Sequence, residues 1–382
     1  MPPTIEECQQ QLNPKQAIIQ PFIDHTQNIL RVLWLDKQQL KIYDFSNADN
    51  AGHWQQLIEL WQQHENWQTV LDNNIFNSFA DDIQRWANDI EHIIAIFPTP
   101  LGQLAWEAMP QLANKLSREI SIDHWLHCPK SQIETESWAL GVTDIDDVEN
   151  AAQFIPHETY LVAKHWNIQP TLVEQTEPLA LFQALQNLQN HRNVFISTHG
   201  VFDSNQPLQS GLSLNNHDAE KRKNIDLPLW LCTTLRLDNT ELMILSACQT
   251  ASTKSNTNNL FDPISISSAF AAAGVNTVIA TLSQVGSLAS LLFINELLEL
   301  AQQQPKTPWH QLIAQTQESF KRKTDADMKI LAEEIQQTSK LTKGQKLEFT
   351  SKLTDYKNAP LVERNAPENW ANFIVIGDVE RD

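Results

Sequence analysis

Positive charge is scarce in this chain. Lys and Arg together number 27 against 46 Asp and Glu, a formal charge of −19. That imbalance excludes binding driven by phosphate neutralisation, so neither nucleic acid nor an anionic membrane surface is an expected partner. Two short basic clusters, Lys221-Arg222-Lys223 and Lys321-Arg322-Lys323, are too small to reverse it and read as solvated faces. Cysteine is sparse as well. Cys8, Cys128, Cys232 and Cys248 show no close pairing and no C-x-x-C spacing of the kind that holds a metal, so neither a disulfide scaffold nor a metal site is expected. Few cysteines in a large acidic chain fit a reducing, cytoplasmic compartment. No apolar window approaches the length that spans a bilayer. The opening "MPPTIEECQQQLNPKQ" has neither the basic nor the apolar stretch of a signal peptide. No internal repeat stands out.

What is present is enough to bury a sizeable core. Hydrophobic residues make up 41% of the 382, with 12 Trp and 15 Phe, which excludes general disorder. Strand-like and helix-like segments alternate. "ILRVLWL" and "QLKIYDF" read as a hairpin, two helical stretches follow around residues 51–67 and 77–91, and "HIIAIFP" is a short strand leading into a turn and helix. Further on, "WALGVTD", "QPTLVE", "RNVFIST", "LMILSA" and "NTVIATL" read as strands, with helices over 149–166, 178–190, 263–273 (ended by Gly274) and 288–304. The near-continuous apolar character of the middle strands suits burial on both faces of a parallel sheet. The fold class is therefore α/β, doubly wound, with a mainly parallel sheet. Residues 310 to about 354 break the pattern as a long polar helical stretch, and "WANFIVIGD" closes the chain as a buried strand.

In open parallel sheets, functional groups collect beyond the carboxyl ends of the strands. "NVFIST" runs into His199-Gly200, and "LMILSA" runs into Cys248, 49 residues after the histidine. A strand-end cysteine is commonly a packed sulfur, and a strand-end histidine is commonly structural. The pair has a chemical logic that neither has alone. A thiol at its ordinary pKa is little ionised at neutral pH and needs an adjacent base, and the same imidazole can protonate a leaving amine. Backbone N–H groups of Gly200 and Cys248 would serve as the oxyanion hole. Caspases space their histidine and cysteine by a similar interval. No G-x-S-x-G or G-x-C-x-G elbow surrounds Cys248, which argues against a small-ester or small-amide hydrolase of that type.

Four ordered blocks resemble the CHAT family of caspase-like, separase-like cysteine peptidases. The histidine block is His199, Gly200, Phe202, Pro207, Leu208, Ser210 and Leu212; the cysteine block is Leu245, Ser246, Ala247, Cys248 and Thr250. Ala269, Phe270, Ala273 and Gly274 match a helix segment, and Trp370, Ala371, Phe373, Gly377 and Asp378 match the closing block. The resemblance is strong over 195–378 and weaker earlier, at "HIIAIFPTPLGQLAWEAM". It implies a caspase-like three-layer αβα fold, with a degenerate N-terminal half over 1–135 and a catalytic half over 136–382. A helical insertion over about 310–358 precedes the last strand. It implies Cys248 as nucleophile, His199 as general base and acid, no cofactor, a protein substrate, a regulatory protein partner, and a bacterial signalling, stress or immunity pathway.

Two departures matter. The family's L-W-x-V-x-D stretch reads "LSQVGS" here, with Ser283 in the aromatic position, which leaves substrate preference open. Asp262 aligns with an acidic position and has two readings: a pocket residue that would favour a basic side chain, or a cap for the helix opened by Pro263. Tetratricopeptide repeats, common in the family, are absent from these residues. The altered loop also keeps open a different class of function, a non-enzymatic interaction module with the same fold that binds a partner protein.

Overall fold

The apolar runs become the middle of one large sheet. The computed structural model describes residues 3–24, 29–45, 59, 67–128, 136–143, 154–174, 188–203, 206–213, 227–248, 250–251, 265–323 and 366–377, with isolated positions between 330 and 358. Its strands are β1 (Gln16–Asp24), β2 (Ile29–Asp36), β3 (Leu40–Asp44), β4 (His92–Ala95), β5 (Leu116–Arg118), β6 (Ser137–Thr143), β7 (Thr171–Glu174) and β8 (Asn193–Ser197). They continue with β9 (His199–Val201), β10 (Gly211–Ser213), β11 (Leu227–Pro228), β12 (Leu242–Ser246), β13 (Thr277–Thr281) and β14 (Phe373–Gly377). Eleven of them form a single sheet in the order β3-β2-β1-β4-β5-β14-β13-β12-β8-β6-β7, and β11-β10-β9 form a small second sheet. Within the large sheet the pairing is parallel except at β1–β2, β2–β3 and β13–β14. β1 to β5 form one side of the large sheet, β6 to β8 and β12 to β14 the other, and the two meet where β5 pairs with β14.

Every residue of β12, β13 and β14 is buried, in keeping with their near-continuous apolar sequences. The helices Ile155–His165, Ser287–Gln303 and Trp309–Arg322 pack on one another, and Phe293 stacks on Phe373 of β14 with ring centroids 4.0 Å apart. The helix Ile266–Ala272 packs on β13 and joins the helix Ile122–His127, where His124 Nε2 donates to Ala271 O at 2.9 Å. Chain direction explains the two layers. From β6 the chain steps outward to β7, then returns to β8 and moves on through β12 to β13. Right-handed crossovers in opposite directions place their helices on opposite faces. Gly274 ends the helix Ile266–Ala272 at φ 110°, and a Cβ there would lie 2.4 Å from Asp238 Oδ1, so glycine is required twice over. The cap at that helix's other end corrects the reading of Asp262 as its cap. Ser265 holds the position, its hydroxyl accepting from Ser268 N at 3.0 Å. Asp262 itself, most of the helix expected over 178–190 and most of the expected insertion lie outside the described residues. No helix among the described residues is long and apolar enough to cross a membrane.

One buried pair makes the fold sensitive to acid. His92, at the start of β4, stacks on His310 with centroids 4.4 Å apart and planes 5° from parallel. Gln16 Nε2 donates to His92 Nδ1 at 3.3 Å, and Nε2 of the ring faces Ser117 Oγ at 2.8 Å, an arrangement that suits the neutral ring. Burial holds His92 down at about 4, and burial together with His92 holds His310 down at about 2. The unfolded chain takes up protons at both sites below about pH 6.5. The folded chain cannot do so until much lower pH, so this contribution is complete above 6.5 and shrinks as pH falls. His124 has the opposite sign and a different window: it is raised to about 10, burial opposed by Glu119 and Cys128, and loses its contribution only as pH rises above 6.5. Urea unfolding should show stability falling between pH 7 and pH 5 by about 1–2 kcal/mol per histidine. His310→Phe, which keeps a ring on His92, should remove about half of that fall. An unchanged slope would rule out the pair as its source.

Candidate active site

The site forms at the carboxyl ends of β8 and β12, one strand in from the β6–β8 boundary where the strand order reverses. β8 and β12 pair in parallel with Ser197 opposite Ser246, and two residues beyond each lies His199 or Cys248. Thr198 N donates to Ser246 O at 3.2 Å, carrying the alignment past the end of the ladder. His199 and Cys248 line one open cleft, with about 40 Å³ of free volume, room for a few waters. Gly200 presses on the cysteine. A Cβ at Gly200 would lie 2.1 Å from Cys248 O and 3.2 Å from its carbonyl carbon. Those are backbone atoms and cannot swing aside, so the close approach of the two loops needs glycine.

Each loop is anchored by residues of its own block. After Cys248 the chain is held by β13: Thr281 Oγ1 donates to Ala247 O at 2.8 Å, Thr281 N to Thr250 Oγ1 at 3.1 Å, and Ala251 N to Thr281 O at 2.8 Å. After His199 the chain enters β9, which pairs with β10 so that Gly200 faces Leu212. Buried Ser210 accepts from Asp203 N at 2.9 Å, closing the loop between those strands. The Cys248 thiol is half-buried, and its Sγ faces Val285 O at 4.0 Å. Burial pushes the thiol up, a backbone hydrogen bond with Val285 opposes this, and the charge of Glu158 adds to the rise. The resting sulfur is therefore a protonated thiol, and any attack must begin with transfer of its proton to a base.

The other expected pocket residues fare differently. Ser283 is buried and does not line the cleft; its hydroxyl donates to Asn372 Oδ1 at 3.0 Å. The Asn372 backbone carbonyl also accepts from Leu282 N at 2.9 Å, and its Nδ2 donates to Gln284 O at 3.3 Å. Ser283 thus anchors the "LSQVGS" loop to the segment before β14 while Val285 faces the thiol. Sequence reading missed Asn372, Thr281 and Val285, and above all Glu158. That carboxylate, 3% exposed in the helix Ile155–His165, lines the same cleft. Ser197 Oγ donates to it at 2.7 Å, Ser246 Oγ at 2.8 Å and Ser290 Oγ at 3.0 Å. Burial raises it to about 7, with the three hydroxyls pulling the other way. The signal was faint: a serine two positions before each candidate residue, in strands otherwise apolar.

The profile of the CHAT domain matches residues 70–378. The chain belongs to the CHAT family. Among solved structures, a chain of the Saccharomyces cerevisiae separase–securin complex is similar over 97% of this chain and 30% of its own length, with a TM-score of 0.51 and 11% identity. The Arg-specific cysteine proteinase gingipain R is similar over 86% of this chain and 75% of its own, with a TM-score of 0.45 and 12% identity. The complex of the Porphyromonas gingivalis RgpB pro- and mature domains gives 86% and 76%, a TM-score of 0.44 and 10% identity. This CHAT chain thus spans about a third of the separase-complex chain, and the likeness is one of fold, the caspase-like cysteine peptidase fold. No curated protein matches it by sequence.

Proposed function

We propose that this CHAT chain is a cysteine endopeptidase in which Cys248 is the nucleophile and His199 the general base and acid. The observation that supports it is the convergence of both residues on one cleft from the ends of two register-matched parallel strands. Because burial keeps the thiol protonated, the cycle starts from a neutral pair. His199 takes the thiol proton as Sγ attacks the scissile carbonyl carbon, and the carbonyl π electrons move to oxygen. The N–H groups of Gly200 and Cys248 receive that oxyanion. Collapse expels the amine, which takes its proton from His199 and leaves an acyl-enzyme. Water, deprotonated by His199, then releases the acid and restores the thiol.

The substrate is a protein, cut in the cytoplasm within a bacterial signalling, stress or immunity pathway. A regulatory protein partner controls access to the small cleft; the matched separase complex contains securin. In the reading without chemistry the chain binds a partner through the same fold. An electrophilic peptide probe separates the two. The purified full chain should be labelled at Cys248 and not at half-buried Cys128, with labelling blocked in His199→Ala. A peptide library should be cleaved by the wild type and left intact by Cys248→Ala. Labelling of both cysteines at equal rates, with no cleavage, would support the binding module instead.

A further inference from the structure

Glu158 is not used by the proposed reaction, yet it is bonded to every element that carries it. Its Oε2 accepts from Ser197 in β8, and its Oε1 from Ser246 in β12 and Ser290 in the helix Ser287–Gln303. The Ser246 and Ser290 hydroxyls also lie 2.9 Å apart. Ser197 and Ser246 are register partners, each two residues before His199 or Cys248. Ser290 follows, in the helix's first turn, the loop whose Val285 carbonyl faces the Cys248 sulfur. A carboxyl group offers about four lone-pair sites in fixed geometry, so one rigid group sets the mutual placement of the base, the nucleophile and the loop beside it. A carboxylate this buried needs hydrogen-bond donors, since burying it without them is costly; three converging hydroxyls supply them.

We propose that Glu158 is the positioning residue of the dyad, holding β8, β12 and the Ser287–Gln303 helix on one carboxylate and so fixing the spacing between the His199 imidazole and the Cys248 thiol. This rests on the peptidase reading above. Among the described residues lining the cleft, the ionisable ones are Glu158, His199 and Cys248. Ionised Glu158 also opposes ionisation of the thiol. Its charge therefore leaves a signature at Cys248 that packing alone would not.

The test compares the full-length wild type with Glu158→Gln and Glu158→Ala. Two quantities are read: the rate of Cys248 alkylation by iodoacetamide against pH, followed by mass spectrometry with Cys128 as internal reference, and kcat and KM on a cleaved peptide. Glu158→Gln can still exchange hydrogen bonds with the serines. It should keep most of kcat and alkylate Cys248 severalfold faster at pH 7, with the profile moved to lower pH. Glu158→Ala should lose about 10- to 100-fold in kcat with KM little changed, the cost of a misplaced reacting group. Wild-type kcat in folded Glu158→Ala would overturn the proposal. So would an alkylation profile for Glu158→Gln that coincides with the wild type, or an effect confined to KM, which would make Glu158 a substrate contact. Alkylation needs no substrate. If the wild type cleaves nothing, the peptidase reading fails by itself and the alkylation profiles still decide the role of Glu158.

Discussion

Cys248→Ala should lose on the order of 10⁴- to 10⁶-fold in kcat, leaving only the residual rate that binding and the oxyanion hole supply. The size follows from chemistry: without the sulfur no acyl-enzyme forms, and water must attack the peptide directly. His199→Ala should lose about 10²- to 10⁴-fold, the usual worth of a positioned acid–base group, and toward the upper end here. Burial keeps the Cys248 thiol protonated, so the sulfur lacks the standing charge that would make a base dispensable. The double variant should be no slower than Cys248→Ala alone, because groups that act as one unit do not add. Folding should survive. Cys248 is half-buried beside an open cleft, so its truncation leaves solvent rather than a sealed void, and urea midpoints should move by no more than about 1 kcal/mol. Steady-state kinetics and urea titrations on the three variants check both halves. Substantial turnover by folded Cys248→Ala would sink the mechanism.

The central strands were legible in the sequence because both faces of each are buried. β8, β12, β13 and β14 carry near-continuous apolar runs, and their boundaries fall within three residues of the expected ones. β1 was missed for a physical reason. Pro21 interrupts "QAIIQPFID", and proline argues against a paired strand. Yet β4 pairs only with Gln16–Ile19, so Pro21 lies past the end of that ladder. β5 was missed because it is three residues long and reads as polar, "LSR", although Ser117 and Arg118 are buried. In the candidate site, His199 and Cys248 could be found because each directly follows a recognisable strand. Glu158 could not. It stands alone in a helix far from both in sequence, and its meaning comes from three serines brought together by β8, β12 and a helix some 130 residues later. Asn372 was hidden in the same way: its work is done on the loop 282–284, which pairs with it only through the fold.

Arg118→Met should be the most damaging substitution away from the cleft. Arg118 lies in β5, where the two sides of the sheet join: it is opposite Ala95 of β4 and Ile376 of β14. Its Nε donates to Glu107 Oε1 at 2.5 Å and its Nη2 to Glu107 Oε2 at 2.7 Å, a two-pronged pair with side chains 7% and 5% exposed. The remaining donors satisfy carbonyls of the turn before Glu107, Nη1 to Gly102 O at 2.5 Å and Nη2 to Leu104 O at 2.8 Å, and the guanidinium lies 5.3 Å from the centre of the Phe97 ring. Methionine would fill much of the volume but leave a buried carboxylate and two carbonyls without their donors. Breaking a buried pair on one side costs about 3–5 kcal/mol. Glu107→Leu combined with Arg118→Met should recover part of that loss, because the stranded charge is gone while the two carbonyls remain unpaired. Denaturant midpoints of the single and double variants give the coupling directly. At a temperature where Arg118→Met is still folded its kcat should match the wild type, since Arg118 bonds the turn 102–107 and not the cleft. If the single variant were as stable as the wild type, the join between β5 and β14 would owe its strength to apolar packing rather than to this pair.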